Sequence, residues 1–188
     1  MIGGNQVSRG GPLTFAMTLM IASLGVLFAA SLIGYWLTRA RIDGIEVTVP
    51  DLLWYSTILL IAAGVLLSLA SWRLHGGAAP LARTLLVVSA VVTAGFLAVQ
   101  IPALVLLLQE HPSASAAGNP MLGFVFFLVL LHALHVLGGL IALAVILWRV
   151  RGRALSADQD GSAVRQTTRY WHFLDLVWVV MFAVFLLG

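Results

Sequence analysis

The sequence predicts an all-α polytopic membrane protein, a bundle of five transmembrane helices with its N-terminus cytoplasmic and its C-terminus outside. Three observations predict it. First, 61% of the 188 residues are hydrophobic and only 9% charged, with a mean hydropathy of +1.06, whereas a soluble domain is roughly 25% charged. Second, five apolar runs each reach about 20 residues or more, the length at which a helix crosses the hydrocarbon core. Third, Arg9, Arg73, Arg83, Arg149, Arg151, Arg153, Arg165 and Arg169 fall on one side of a five-span topology, and only Arg39 and Arg41 on the other. Arginine excess marks the cytoplasmic side.

Residues 1–12 carry Gly3, Gly4, Gly10 and Gly11 and read as a flexible N-terminal tail. Residues 13–188 form the five-helix membrane domain. The first run, roughly Leu13–Leu37, is too long for a signal-peptide core and has only Arg9 before it, so no cleavable leader is expected. Gly25 and Ala29, then Ala30 and Gly34, are spaced by four, which lines up small residues where another helix can pack closely. A polar loop is expected over Thr38–Val49, and Pro50 and Asp51 suit the start of the next helix.

The second run, roughly Leu52–Trp72, repeats the small-residue spacing at Gly64 and Ser68. The third, roughly Leu81–Leu108, carries Ala90, Ala94 and Ala98 on one stripe, then Gln100 and Pro102. The proline should kink it by removing a backbone hydrogen bond. A short loop from Glu110 to Pro120 precedes the fourth run, Met121–Trp148. An arginine-bearing loop over Val150–Gln166 leads to the fifth run, Thr167–Leu187.

Composition excludes several chemistries. There is no cysteine, hence no disulfide, thiolate metal site or sulfur nucleophile. All the basic residues other than histidine are arginine, and these flank apolar runs without clustering among exposed aromatics. The sequence pI of about 10.2 therefore does not signal nucleic-acid binding. Nothing resembles a nucleophile–base pair, a phosphate-binding glycine loop or paired catalytic carboxylates.

The candidate site residues are His132, His135, His172, Asp175, Trp171 and Trp178. Asp175 is the one acid within a long apolar run, where ionised groups cost on the order of 3 kcal/mol by insertion scales. It should face protein, water or a lipid head group. His132 and His135 share one helix face, so they cannot ligate a haem from opposite sides. Taking Arg149 and Arg169 as marks of one membrane edge, His135 lies about 21 Å in and Asp175 about 9 Å in, at 1.5 Å per residue. On that basis the two polar pairs sit about 12 Å apart in depth, too far for a shared metal ion. The expectation is interhelical hydrogen bonding and lipid contact with no metal and no redox role. Tyr170, Trp171 and Trp178 are expected partly in the interfacial aromatic belt, with Trp36, Trp54, Trp72 and Trp148. The residues alone leave a subunit or a transporter-like binder open.

Two stretches taken together add a resemblance. His132-Ala-Leu-His135-Val136-Leu-Gly-Gly139 looks like the His-Gly-x-His-Val-x-x-Gly of subunit III of haem-copper respiratory oxidases. Tyr170-Trp171-His172-Phe173-Leu-Asp175-Leu-Val177-Trp178 is similar to that family's Tyr-Trp-His-Phe-Val-Asp-Val-Val-Trp almost position for position. Trp54-Tyr55-Ser56-Thr57 and Phe96-Leu97-Ala98-Val99-Gln100 resemble weaker family patterns, as do Ala22-Ser23, Phe28-Ala29-Ala30 and Tyr35. The length resembles the short five-helix bacterial form.

The resemblance implies a non-catalytic subunit III of a terminal oxidase that reduces oxygen to water. It implies packing against subunit I, which holds the haems and copper, with subunit II and a small subunit IV as further partners. Bound phospholipid and a role in durable turnover are implied, with no haem or copper in this chain. The electron donor would be cytochrome c or quinol, and the location the plasma membrane. Leu24, Ala103 and Arg165 stand where the family commonly has acids, which fits a scaffold and lipid-binding role better than proton relay. The alternatives are the subunit-III-like accessory protein of nitric oxide reductase, and a stand-alone transporter or b-type cytochrome.

Overall fold

The computed structural model describes residues 11–40, 52–110 and 120–187. It contains five helices: α1 (Gly11–Arg39), α2 (Leu52–His75), α3 (Ala79–Glu110), α4 (Pro120–Arg149) and α5 (Ala157–Leu187). All five are long and apolar enough to span a membrane, and no strand occurs among the described residues. The tail expected at the N-terminus falls outside the described residues except for Gly11 and Pro12. So do most of the loops expected after α1 and α3, with Pro50 and Asp51.

The helices α2, α3, α4 and α5 form a ring of neighbours, α2 on α3, α3 on α4, α4 on α5 and α5 on α2, and α1 packs against α4 and α5. Directions follow from the pairings. Thr14 bonds Gln166 and Tyr35 meets Phe185 edge to face, so α1 runs parallel to α5. Trp54 meets Phe182 edge to face and Ser68 meets His172, so α2 runs antiparallel to α5. Arg165 reaches His75 at the end of α2, which places their arginine-bearing ends together.

The turn between α2 and α3 is closed by backbone geometry. Gly77 has φ 82°, its N–H donates to the Leu74 carbonyl at 3.2 Å, and the Ala78 N–H donates to the Arg73 carbonyl at 2.9 Å. This is the 6→1, 5→2 helix stop that favours glycine at the left-handed position. The helix α3 continues through Pro102 to Glu110. Gly25 meets Phe173 at 3.7 Å and Gly34 meets Phe124 at 3.2 Å, measured from an added Cβ. Ala29, Ala30, Ala94 and Ala98 face outward.

The fifth helix begins ten residues earlier than the hydropathy run, inside the expected loop. At 1.5 Å per residue its 31 residues extend about 46 Å, against a hydrocarbon core of about 30 Å. Its first turns therefore stand beyond the apolar slab. Asp158 and Asp160 lie in the first turn, where acids complement the helix dipole. The Ser156 N–H donates to Asp160 Oδ2 at 3.0 Å. The Arg153 guanidinium donates to both carboxylate oxygens at 2.8 and 2.7 Å, a two-pronged, charge-assisted pairing. This hydrogen bonding holds the Asp160 carboxyl below the usual carboxylate range. A lowered folded pKa means that the contribution is complete above the unfolded value, about 3.9, and is lost as pH falls from there through the folded value. Amide exchange at the start of α5 should accelerate in that acid window relative to the other helices. Asp160→Asn should remove the acid dependence.

Candidate functional site

The polar residues of α4 and α5 meet around two indoles. Trp171 is fully buried and lies between two glycines. A Cβ on Gly64 of α2 would stand 3.4 Å from Trp171 Cδ1, and one on Gly139 of α4 only 2.6 Å from Cζ3. Glycine at both positions is what lets a tryptophan lie between neighbouring helices. Trp178, two turns on, donates from Nε1 to Thr57 Oγ1 at 2.8 Å. Thr57 in turn donates to the Leu53 carbonyl at 2.7 Å.

His132 is fully buried in an aromatic enclosure. Its ring lies 4.9 Å from Trp178, 6.3 Å from Phe96 and 6.4 Å from Phe28, between centroids. His135 turns toward α1, 5.6 Å from Phe28, and its Nδ1 donates to the Leu131 carbonyl at 2.6 Å. The Tyr170 hydroxyl donates to the His135 carbonyl at 3.1 Å. His172 and Asp175 face α2. His172 Nε2 lies 2.7 Å from Ser68 Oγ, and Nδ1 lies 3.7 Å from Asp175 Oδ2. Asp175 Oδ2 also lies against Gly64.

Two expectations are corrected here. The 12 Å difference in depth fails, because Arg149 and Arg169 do not mark one level. Arg169 is twelve residues into α5, and the contacts of Tyr170 with His135 and of Trp171 with Gly139 bring the two motifs to a similar depth. They are separated sideways instead. His135 points to α1, His172 and Asp175 point to α2, and Trp171 lies between α2 and α4. Among the described residues no group of three His, Asp or Glu side chains is placed to hold a metal ion. Second, Tyr170, Trp171 and Trp178 are buried in the bundle and do not belong to the belt. Trp36, Trp54, Trp72 and Trp148 are exposed near helix ends; Trp72 carries the Arg73 guanidinium 4.7 Å above its ring.

Sequence reasoning assigned no role to Thr57, Phe28 or Phe96, and saw Gly64 and Ser68 only as small residues. Their spacing was the available signal. Small residues four apart on α2 make room for the one acid of a long apolar run.

The fold defines a multi-pass helical membrane protein with a core of polar and aromatic residues packed between neighbouring helices. The family model described as cytochrome c oxidase subunit III matches residues 6–187, and the chain belongs to that family. It is 30% identical over 186 residues to the cytochrome bo(3) ubiquinol oxidase subunit 3 of Pseudomonas aeruginosa, covering 95% of this chain and 87% of the relative. It is 27% identical over 150 residues to the protein of that name from Pseudomonas putida, covering 78% and 70%. A probable cytochrome c oxidase subunit 3 of Nocardia farcinica is 37% identical over 78 residues, covering 41% and 36%. As subunit III of an oxidase, the chain is one component of a larger membrane complex.

Proposed function

We propose that this chain is the non-catalytic subunit III of a terminal haem-copper oxidase of the plasma membrane, with its N-terminus cytoplasmic. It packs against subunit I, binds phospholipid, and prolongs turnover without carrying a haem or copper itself. The observation that carries this reading is the family match over residues 6–187, joined to relatives named as oxidase subunits along most of the chain. These names favour the oxidase over a nitric oxide reductase partner. The enclosure of His132 by aromatic rings and the turning of His135 to α1 support a packing role for both.

Phospholipid binding is supported by a pocket of about 280 Å³ between α1, α4 and α5. Met17 and Ile146 give it apolar walls. Arg149, Ser162 and Gln166 supply a cation and hydrogen-bonding groups near the arginine-rich end. A lipid phosphate fits the polar part and acyl carbon the walls.

The test is oxygen consumption by the purified complex, driven by ubiquinol or reduced cytochrome c, with and without this subunit. The initial rate should persist without it, while the active lifetime shortens. Asp175→Leu should leave the haem spectrum unchanged, lower the yield of complexes containing the subunit, and shorten that lifetime. A requirement for this chain in the first turnovers would contradict the reading.

A further inference from the structure

His75 and Arg165 close the arginine-bearing end of the α2–α5 seam and leave a charge there without a counter-ion. His75 Nδ1 lies 2.6 Å from the Ser71 carbonyl, which can only accept, so that nitrogen carries the ring hydrogen. Arg165 Nη1 lies 2.5 Å from His75 Nε2, and a guanidinium can only donate. Nε2 is therefore the acceptor, and the imidazole in this contact is neutral. Gly161 leaves room for it, since a Cβ there would stand 3.3 Å from His75 Nε2 and 3.8 Å from Arg165 Nη1. The Arg165 guanidinium is thus oriented by an uncharged partner. Arg153 is the contrast, with both of its donors on the Asp160 carboxylate. Among the described residues the ion pairs are Arg153–Asp160 and His172–Asp175, so neither Arg165 nor its neighbour Arg169 meets a carboxylate.

The outer surface of the same seam is graded from cationic to apolar. On α5 the exposed residues Arg165, Arg169, His172, Leu176 and Val179 recur every three or four positions and so share one stripe. On α2 the exposed residues Ile61, Val65, Trp72 and His75 do the same, with Ser68 half-buried among them. The contacts of His75 with Arg165 and of Ser68 with His172 set the antiparallel register. In that register Trp72 comes level with Arg169, and Val65 and Ile61 with Leu176 and Val179. From Arg169 to Val179 is about 15 Å at 1.5 Å per residue, half of a hydrocarbon core about 30 Å thick. The apolar stretch therefore matches one leaflet. The geometry points to this surface as the seat of an anionic phospholipid, with its phosphate on Arg165 and Arg169 and an acyl chain along Val65, Ile61, Leu176 and Val179.

Charge complementarity selects the occupant. Two arginines four apart on a helix are neighbours on its surface, and guanidinium forks suit phosphate oxygens. The Arg73 guanidinium, 4.7 Å above the Trp72 ring, adds a third cation at the same end. The nearest acids do not offset them. Asp158 lies two turns before Arg165, towards the start of α5, and Asp175 lies six residues beyond Arg169 with its carboxyl against Gly64. A headgroup that carries its own ammonium would bring a further cation to this cluster, whereas a net anionic one would not. A companion helix would have to place an acid at this level, while an anionic lipid supplies one in every headgroup. The seat shares no residue with the pocket between α1, α4 and α5.

The experiment uses the intact complex, washed of loosely held lipid and placed in nanodiscs of phosphatidylcholine with a minor fraction of phosphatidylglycerol. Native mass spectrometry counts the lipid of each kind that stays with the complex. Arg169→Gln should lower retention of phosphatidylglycerol about fivefold and leave phosphatidylcholine unchanged. Adding Arg165→Gln should remove one phosphatidylglycerol per complex. Arg83→Gln deletes an exposed arginine of the same membrane side on α3 and should change nothing. An equal loss from Arg83→Gln would overturn the seat, because overall charge would then explain the retention. Unchanged lipid in Arg169→Gln, with or without release of a companion subunit, would overturn it too. So would displacement of the lipid by added inorganic phosphate, which would show a site for the free ion. If Arg165→Gln disturbs assembly through its contact with His75, Arg169→Gln alone decides, since Arg169 makes no ion pair among the described residues. Oxygen consumption does not enter this measurement, so a negative result would leave the subunit assignment standing.

Discussion

Trp171→Ala is expected to destabilise the bundle more than any other single truncation, by about 3–5 kcal/mol, the range for losing a buried large aromatic side chain. The indole is fully buried and lies between α2 and α4, where its contacts are with glycines. Neither Gly64 nor Gly139 has a side chain that could move into the space, so the helices must shift or a cavity must remain. The loss is one of packing. Lipid competes for apolar surface as well as protein does, so close van der Waals contact carries much of the association energy between membrane helices. Trp171→Phe should cost far less, because Trp171 Nε1 makes no hydrogen bond that phenylalanine would forfeit. The midpoint of unfolding in a harsh detergent would measure both. A complementary change tests the geometry: Gly139→Leu alone should disrupt the bundle, and Trp171→Ala should partly restore it. Such non-additivity is the signature of residues in direct contact.

Much of this arrangement was legible in the sequence, and some of it for the wrong reason. The five spans follow from hydropathy because a membrane-spanning helix must be apolar along its whole length. The start of α5 did not follow, since its first ten residues are polar and hydropathy reports partition into hydrocarbon, not helicity. The signal was present in Ser156, Asp158 and Asp160, a polar cap and two acids ahead of an apolar run. Lateral arrangement was less accessible. Helices that are apolar on every side lack the amphipathic stripe that reveals an inward face, so only the rare polar and small residues mark it. Gly64, Ser68 and Gly139 carried that information. Tyr170, Trp171 and Trp178 misled because aromatic residues near a span end are usually interfacial. Placing His135 and Asp175 at different depths failed because it treated two arginines on helices of unequal overhang as one boundary.

Gly64→Ala should give the second large effect. The added methyl would occupy the position of Asp175 Oδ2 and stand 3.4 Å from Trp171 Cδ1. The carboxyl must turn away from the methyl, and Trp171 is wedged by Gly139 on its other side, so the indole has little room to yield. Overpacking of this kind costs about 1–3 kcal/mol. Pairing the change with Asp175→Ala should recover part of the loss by vacating the contested space. The double variant would remain weaker than wild type, because His172 then loses its acidic neighbour. Purified yield of complexes retaining the subunit, compared across the two single variants and the double, measures the coupling. Additive losses would show that α2 and α5 do not meet as described.

We propose a division of labour: this subunit joins helices and lipid, while electron transfer belongs to its companions. The most direct measurement is a reduced-minus-oxidised absorbance spectrum taken before and after this chain is stripped from the purified complex. The haem bands should remain entirely with the companion subunits, and the isolated chain should give a featureless spectrum. A haem band retained by the chain alone would contradict the account.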